Sequence, residues 1–200
     1  MKSKKMVGRI IGVVVPIVLF LIVSASFVIY KANSSRSDLQ IIAALPEFQL
    51  MTQDNELFGT KEMKGKLNLV YFFFSSCQGP CPIMTNNLVD ISKKFGENDK
   101  IQFIGISVDP QRDTPEVLRA FANEYNLKSS NWKLLRGDID RIEEISQKGF
   151  LLAADGFPMM HSTKVVLVDQ NGNIRQYYDA TDMASLNIMK TNVRELIKEL

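Results

Sequence analysis

Residues 67–74 read LNLVYFFF, an apolar and aromatic run interrupted only by Asn68, and no other stretch limits the fold of this chain so tightly. The run is far too short to cross a bilayer as a helix, which takes about 20 residues. Its aromatic and branched side chains favour a strand. Because apolar and polar residues do not alternate, both faces of that strand must be buried. A strand covered on both faces needs a layer above and a layer below, and helices are the usual cover.

The segments downstream supply such layers. Residues 83–95 place Met84, Leu88, Ile91 and Phe95 at helical spacing, and Ile101 to Val108 (IQFIGISV) repeats the buried-strand pattern before Asp109-Pro110. Thr114-Pro115 offers an N-cap and a proline for the first helical position, predicting a helix to about Tyr125. A short strand is expected over Trp132 to Leu135 and a helix over Asp138 to Gln147. Lys164 to Val168 reads as a third core strand, which Asn171-Gly172 turns into Ile174 to Tyr178, and Asp182 caps a last helix to Leu200. Ahead of all this, Phe48 to Met51 and Leu57-Phe58 flank the polar turn Gln53-Asp54-Asn55 as a hairpin. Strands and helices in alternation argue an α/β domain with a mixed sheet. A cysteine motif between the first buried strand and its helix, with a late hairpin and a terminal helix, predicts a thioredoxin-like fold carrying an N-terminal β-hairpin extension.

The N-terminus is of another kind. Lys2, Lys4, Lys5 and Arg9 precede 21 uncharged residues, Ile10 to Tyr30. That length suits one transmembrane helix and exceeds the apolar core of a cleaved signal peptide, about 7–15 residues. The flanking cations keep the N-terminus cytoplasmic. The expected organisation is therefore a cytoplasmic basic segment (1–9), a transmembrane anchor (10–30), a linker (31–44) and a domain over 45–200. That domain would be extracytoplasmic, in a bacterial periplasm or on the outer face of the plasma membrane. All 22 acidic residues lie beyond residue 30, against 20 of the 24 basic ones, so the domain is slightly acidic and carries no basic footprint for nucleic acid.

Chemistry concentrates in FFFSSCQGPCPIM, residues 72–84, which holds both cysteines of the chain, Cys77 and Cys81. A structural disulfide, a redox pair and a metal site are the alternatives. A disulfide across so short a loop removes little entropy from the unfolded chain, which favours chemistry over a staple. Pro82 is expected to open the helix, placing Cys81 near its N-cap, Cys77 in the loop and both thiols in a field that favours thiolate. Gly79 is expected to let the loop fold back. His161, the single histidine, stands just before the third core strand, and a thioredoxin-like fold brings that position against the cysteine loop. Two thiolates and an imidazole suit Cu(I), and the imidazole also suits Cu(II), whereas structural zinc normally takes a fourth protein ligand. Asp109 ends the second core strand on the same edge, as a turn residue or as a carboxylate that tunes the site. Arg112 and Asp113 read as residues that pin the loop and precap the Thr114 helix. Met159 and Met160 are soft donors beside His161, although most methionines fill cores.

In order and spacing, FFFSSCQGPCPIMTNNL, ISVDPQRDTPEVL and MHSTKVVLVDQNG resemble the Sco/SenC family of copper-binding proteins. The resemblance covers about residues 45–200 and extends to the single anchoring helix. It implies a thioredoxin fold, copper ligands at Cys77, Cys81 and His161, and a carboxylate of the second motif at Asp109. It also implies a metallochaperone that assists assembly of the CuA centre of cytochrome c oxidase. The expected partners are the oxidase subunit carrying CuA or another cuproprotein, an upstream copper donor and a thioredoxin-like reductant. Two departures stand out: Met160 occupies a place where the family often has Asp or Gly, and the segment between Phe150 and His161 is short. The alternative function is a thiol-disulfide oxidoreductase in which Cys77 and Cys81 form a redox-active pair that closes to a disulfide. Against it stand the CxxxC spacing and the lack of a cis-proline directly before the third core strand, with Pro158 several positions early. A thiol peroxidase would want an activated cysteine with a nearby Thr and Arg, which Ser75-Ser76-Cys77 does not supply.

Overall fold

The computed structural model describes residues 17–26, 39–95, 98–127 and 131–200. The described residues divide into two units, one holding residues 17–26 and the other residues 39–198 and Leu200. In the first, residues 17–26 are a helix, α1. The basic segment 1–9, most of the predicted anchor and most of the linker lie outside the described residues. Among the described residues no helix is long and apolar enough to cross a membrane.

The second unit is built on the apolar run. Leu67–Phe73 forms strand β4, buried along its whole length. Helix α3 (Pro80–Phe95) leads from it to β5 (Ile101–Ser107), and α4 (Pro115–Glu124) leads on to β6 (Trp132–Arg136). These three strands are parallel, with Leu67 opposite Ile101 and Phe103 opposite Trp132. Helix α5 (Ile139–Glu144) widens into a π turn over Ile145–Gly149. The chain then returns antiparallel through β7 (Lys164–Val168) and β8 (Asn173–Asp179) to the closing helix α6 (Met183–Ile197). The predicted hairpin is present as β2 (Gln49–Thr52) and β3 (Leu57–Gly59), joined to β6 through Met51 and Arg136. Two short elements were not foreseen: β1 (Ala43–Ala44), paired with β8, and α2 (Thr60–Met63). Neither has enough residues to show a period. The sheet order is β1-β8-β7-β4-β5-β6-β2-β3, so the mixed, thioredoxin-like sheet with an added hairpin is present.

Helix ends follow their caps. Thr114 Oγ1 accepts from the Val117 amide ahead of Pro115, and the Asp182 carboxylate accepts from the Ala184 and Ser185 amides. At the start of β7, Tyr71 of β4 faces Val165, and Lys164 faces Asp179 of β8. The carboxyl end of β4, the loop entering β7 and the loop leaving β8 therefore meet on one edge of the sheet.

Asp179 fastens that edge. Its carboxylate accepts from the Thr181 amide and hydroxyl (2.9 and 2.6 Å), Thr163 Oγ1 (3.2 Å) and Lys164 Nζ (3.2 Å). The Thr181 hydrogen bonds, helped by Lys164, hold its pKa down at about 2, against an ordinary 3.8. A carboxylate with a depressed folded pKa adds stability that is present above the unfolded value and lost as pH falls through the folded one. Asp179 thus contributes to an acid limb between pH 3.8 and about 2. Asp179→Asn should shallow that limb in a series of urea melts at stepped pH; an unchanged slope would contradict this role.

Candidate metal centre

Strand β4 ends at Phe73, and the chain turns at once: the Cys77 amide donates to the Phe74 carbonyl at 3.3 Å. Helix α3 opens at Pro80, not at Pro82. Both prolines fit a first turn, where an amide proton has no helical partner, and the earlier one takes it. Cys81 consequently lies inside the first turn rather than at the cap. Its side chain points into the core, 1% exposed, while Cys77 stays in the loop, half-buried. Gly79 is not required by its backbone: its φ is not left-handed, and an added Cβ would lie 3.8 Å from Cys77 Sγ, an ordinary contact.

His161 arrives from 80 residues downstream and sets Nε2 3.0 Å from Cys81 Sγ. Its Nδ1 lies 3.2 Å from the Ser162 carbonyl. A carbonyl only accepts, so Nδ1 carries the proton and the Nε2 lone pair faces the sulfur. Phe74 stands edge-on to the imidazole, with centroids 5.5 Å apart. The ligand atoms of Cys77, Cys81 and His161 all lie within 4.8 Å of one another. Two metal–sulfur bonds of about 2.3 Å span ~4.6 Å, so one ion can reach all three with small adjustments. Both cysteines are free thiols.

Burial governs the protons. It pushes the Cys81 thiol up to about 12, outweighing a hydrogen bond from the Phe74 backbone; proximity to Cys77 raises it further. The thiolate predicted for Cys81 is therefore not its resting form: the helix end favours the anion, but removal from water costs more. Burial also lowers the His161 pKa, offset in part by the Ser162 and Phe72 carbonyls, which keeps a neutral imidazole ready to act as a ligand.

Asp109 does not join the converging atoms. Its carboxylate is 3.4 Å from Arg112 Nη1, and its amide donates to Ser107 Oγ. Met159 and Met160 are exposed. A cis peptide bond is present at Phe157-Pro158, three residues before His161, so a cis-proline precedes the histidine although not directly before β7.

Asp113 pins the chain from a second strand as well as its own loop. This fully buried carboxylate accepts hydrogen bonds from the Ser75 amide (3.2 Å), the Ser75 hydroxyl and the Ser107 hydroxyl. Arg136 Nε and Nη2 hold the Asp113 and Pro110 carbonyls at 3.1 and 3.3 Å. The root of the cysteine loop is thereby tied to the end of β5. In sequence an aspartate just before an N-cap threonine looks like part of the cap. Only the parallel register of β4 and β5 aligns it with Ser75.

A profile of the SCO1/SenC family matches residues 38–198. A SCO1/SenC family lipoprotein from Bacillus anthracis superposes with a TM-score of 0.71 at 34% identity, covering 78% of this chain and 95% of the other. BsSco, a member of the Sco family of cytochrome c oxidase assembly proteins solved in connection with a disulfide switch, gives 0.72 at 27% identity, covering 82% and 99%. A Stutzerimonas stutzeri protein named for copper binding is 26% identical over 148 residues, 68% of this chain and 70% of its own.

Removing the Asp113 acceptor would strand one buried donor, on Ser107, and two on the half-buried Ser75, and a buried donor left unsatisfied costs about 1–3 kcal/mol. Asp113→Ala should lower the unfolding free energy of the full-length chain by about 2–4 kcal/mol, with Asp113→Asn falling in between. Urea denaturation measures both; unchanged midpoints would mean the clamp is not used.

Proposed function

The chain belongs to the SCO1/SenC family, and from that premise we propose that it is a membrane-anchored copper metallochaperone assisting assembly of the CuA centre of cytochrome c oxidase. The observation that carries the reading is the convergence of Cys77, Cys81 and His161. Two thiolates select Cu(I), and an imidazole lets the same site hold Cu(II). Cys81 and His161 are the buried, oriented donors. Cys77 is the more exposed one, through which a partner's thiolate can enter and take over the ion. Binding displaces the thiol protons to solvent, and oxidation of the pair to a disulfide removes the donors, so redox state gates loading. Asp109, with Arg112 on the rim, is read as an element of the approach surface.

Anchoring is supported by α1, where Ile17, Val18, Leu19, Phe20, Leu21, Ile22 and Val23 are all about half or more exposed. A helix with such side chains in contact with solvent calls for a bilayer. The N-terminus would be cytoplasmic and the domain extracytoplasmic. The CuA-bearing subunit or another cuproprotein is the client, with an upstream copper donor and a thioredoxin-like reductant supplying cargo and electrons.

A second reading rests on the asymmetry of the thiols. An accessible Cys77 beside a buried Cys81 suits attack on a partner's disulfide followed by closure of the pair, with two electrons passing to the partner. His161 separates the readings. The reduced full-length chain should bind one copper under anaerobic metal analysis, and His161→Ala should weaken binding about tenfold or more. In cells, Cys77→Ser stops oxidase assembly on either reading, but His161→Ala does so only if copper is carried. A chain that binds no copper, or one indifferent to His161→Ala, would overturn the metallochaperone reading.

A further inference from the structure

The methionines of the chain divide by position. Among the described residues Met63, Met84 and Met189 are buried and Met51 is half-buried, whereas Met159, Met160 and Met183 are 77%, 70% and 56% exposed. All three exposed ones belong to the edge of the sheet that holds Cys77, Cys81 and His161. Met159 and Met160 immediately precede His161. Met183 opens α6 directly after the loop leaving β8, where the Ala180 amide donates to the Thr163 carbonyl and Asn87 of α3 donates to the Ala180 carbonyl. Three thioether side chains are therefore open to solvent on this one edge.

The turn before His161 is shaped around one of them. The Met160 amide donates to the Gly156 carbonyl at 3.1 Å, and Gly156 has a φ of +88°. A Cβ at Gly156 would meet Met160 Cγ at 3.0 Å and its Cβ at 3.3 Å. The stem of Met160 therefore lies against a residue that leaves room for it, and the rest of the side chain stays open to solvent. A thioether is a soft, neutral donor that selects Cu(I) and needs no deprotonation.

We propose that Met159, Met160 and Met183 form a peripheral Cu(I)-capture site that receives the ion and passes it to Cys77, Cys81 and His161. This rests on the copper reading of that inner site. On capture no electron or proton moves: Cu(I) exchanges its incoming donors for thioether sulfurs. When it passes inward the thioethers leave, the two thiols become the sulfur donors, and their protons go to solvent; the metal stays Cu(I). Hard or borderline ions such as zinc gain little from thioethers, so the rim also biases which metal reaches the thiols. A purely apolar docking patch is the competing use of the same surface, and it would work as well with leucine.

The test uses the reduced full-length chain and Cu(I) supplied as its acetonitrile complex under anaerobic conditions. Replacing the three methionines by leucine keeps the apolar surface and removes the sulfur. Stopped-flow loading should slow about fivefold or more in M159L/M160L/M183L, while the control M51L loads at the parent rate. In a selenomethionine-substituted C77S/C81S chain, selenium-edge absorption should show a copper neighbour, and the three leucines should abolish it. Parent-rate loading by the leucine variant, or no copper neighbour to selenium, overturns the capture site alone. A parent chain that takes up no Cu(I) at all overturns the copper reading beneath it.

Discussion

The antiparallel register of β7 on β4 is the constraint on which the site depends. Tyr71 faces Val165 and Asn68 faces Val168, and a slip by one residue would turn every side chain of β7 to the opposite face. Both strands are buried on both sides, so the register is held by packing as well as by the ladder. With it in place, the chain entering β7 has to pass the carboxyl end of β4, and His161 meets Cys81 across 80 residues of sequence. Neither partner could find the other through local structure.

Around that pairing the molecule keeps a buried thiol and a neutral imidazole in contact, with no charge on either. Burial disfavours both the thiolate and the imidazolium. A soft cation changes the balance: it neutralises the thiolates inside the core and uses the lone pair that Nε2 already presents. The same burial that suppresses ionisation without metal therefore favours a metal with an appetite for sulfur. The fixed parts are Cys81 in the first turn of α3, His161 oriented by Ser162 and Phe74, and the loop root tied down by Asp113. Cys77, on the loop, is the more exposed of the two thiols.

Much of this was legible in the sequence. The strand LNLVYFFF, the Thr114-Pro115 and Asp182 caps and the Asn171-Gly172 turn are local signals, and each appears where its chemistry placed it. The cysteines and histidine could be brought together on paper because the order of elements implied one sheet edge. What was not legible depends on tertiary placement. Pro80 and Pro82 are equally good helix starters, and which of them opens the helix decides whether Cys81 stands at the cap or inside the first turn. The Asp113 clamp depends on the alignment of β4 with β5. The contrast between exposed and buried methionines has no trace in composition, since thioethers fill cores and face water with the same letter.

The central claim is that Cys77, Cys81 and His161 act together as one copper site. Copper-edge X-ray absorption on the full-length chain loaded with one equivalent of Cu(I) tests it most directly. The account predicts two sulfur neighbours and one nitrogen neighbour from imidazole, with the nitrogen lost in His161→Ala and a sulfur lost in Cys77→Ser. A spectrum without imidazole scattering, or one unchanged by His161→Ala, would contradict it.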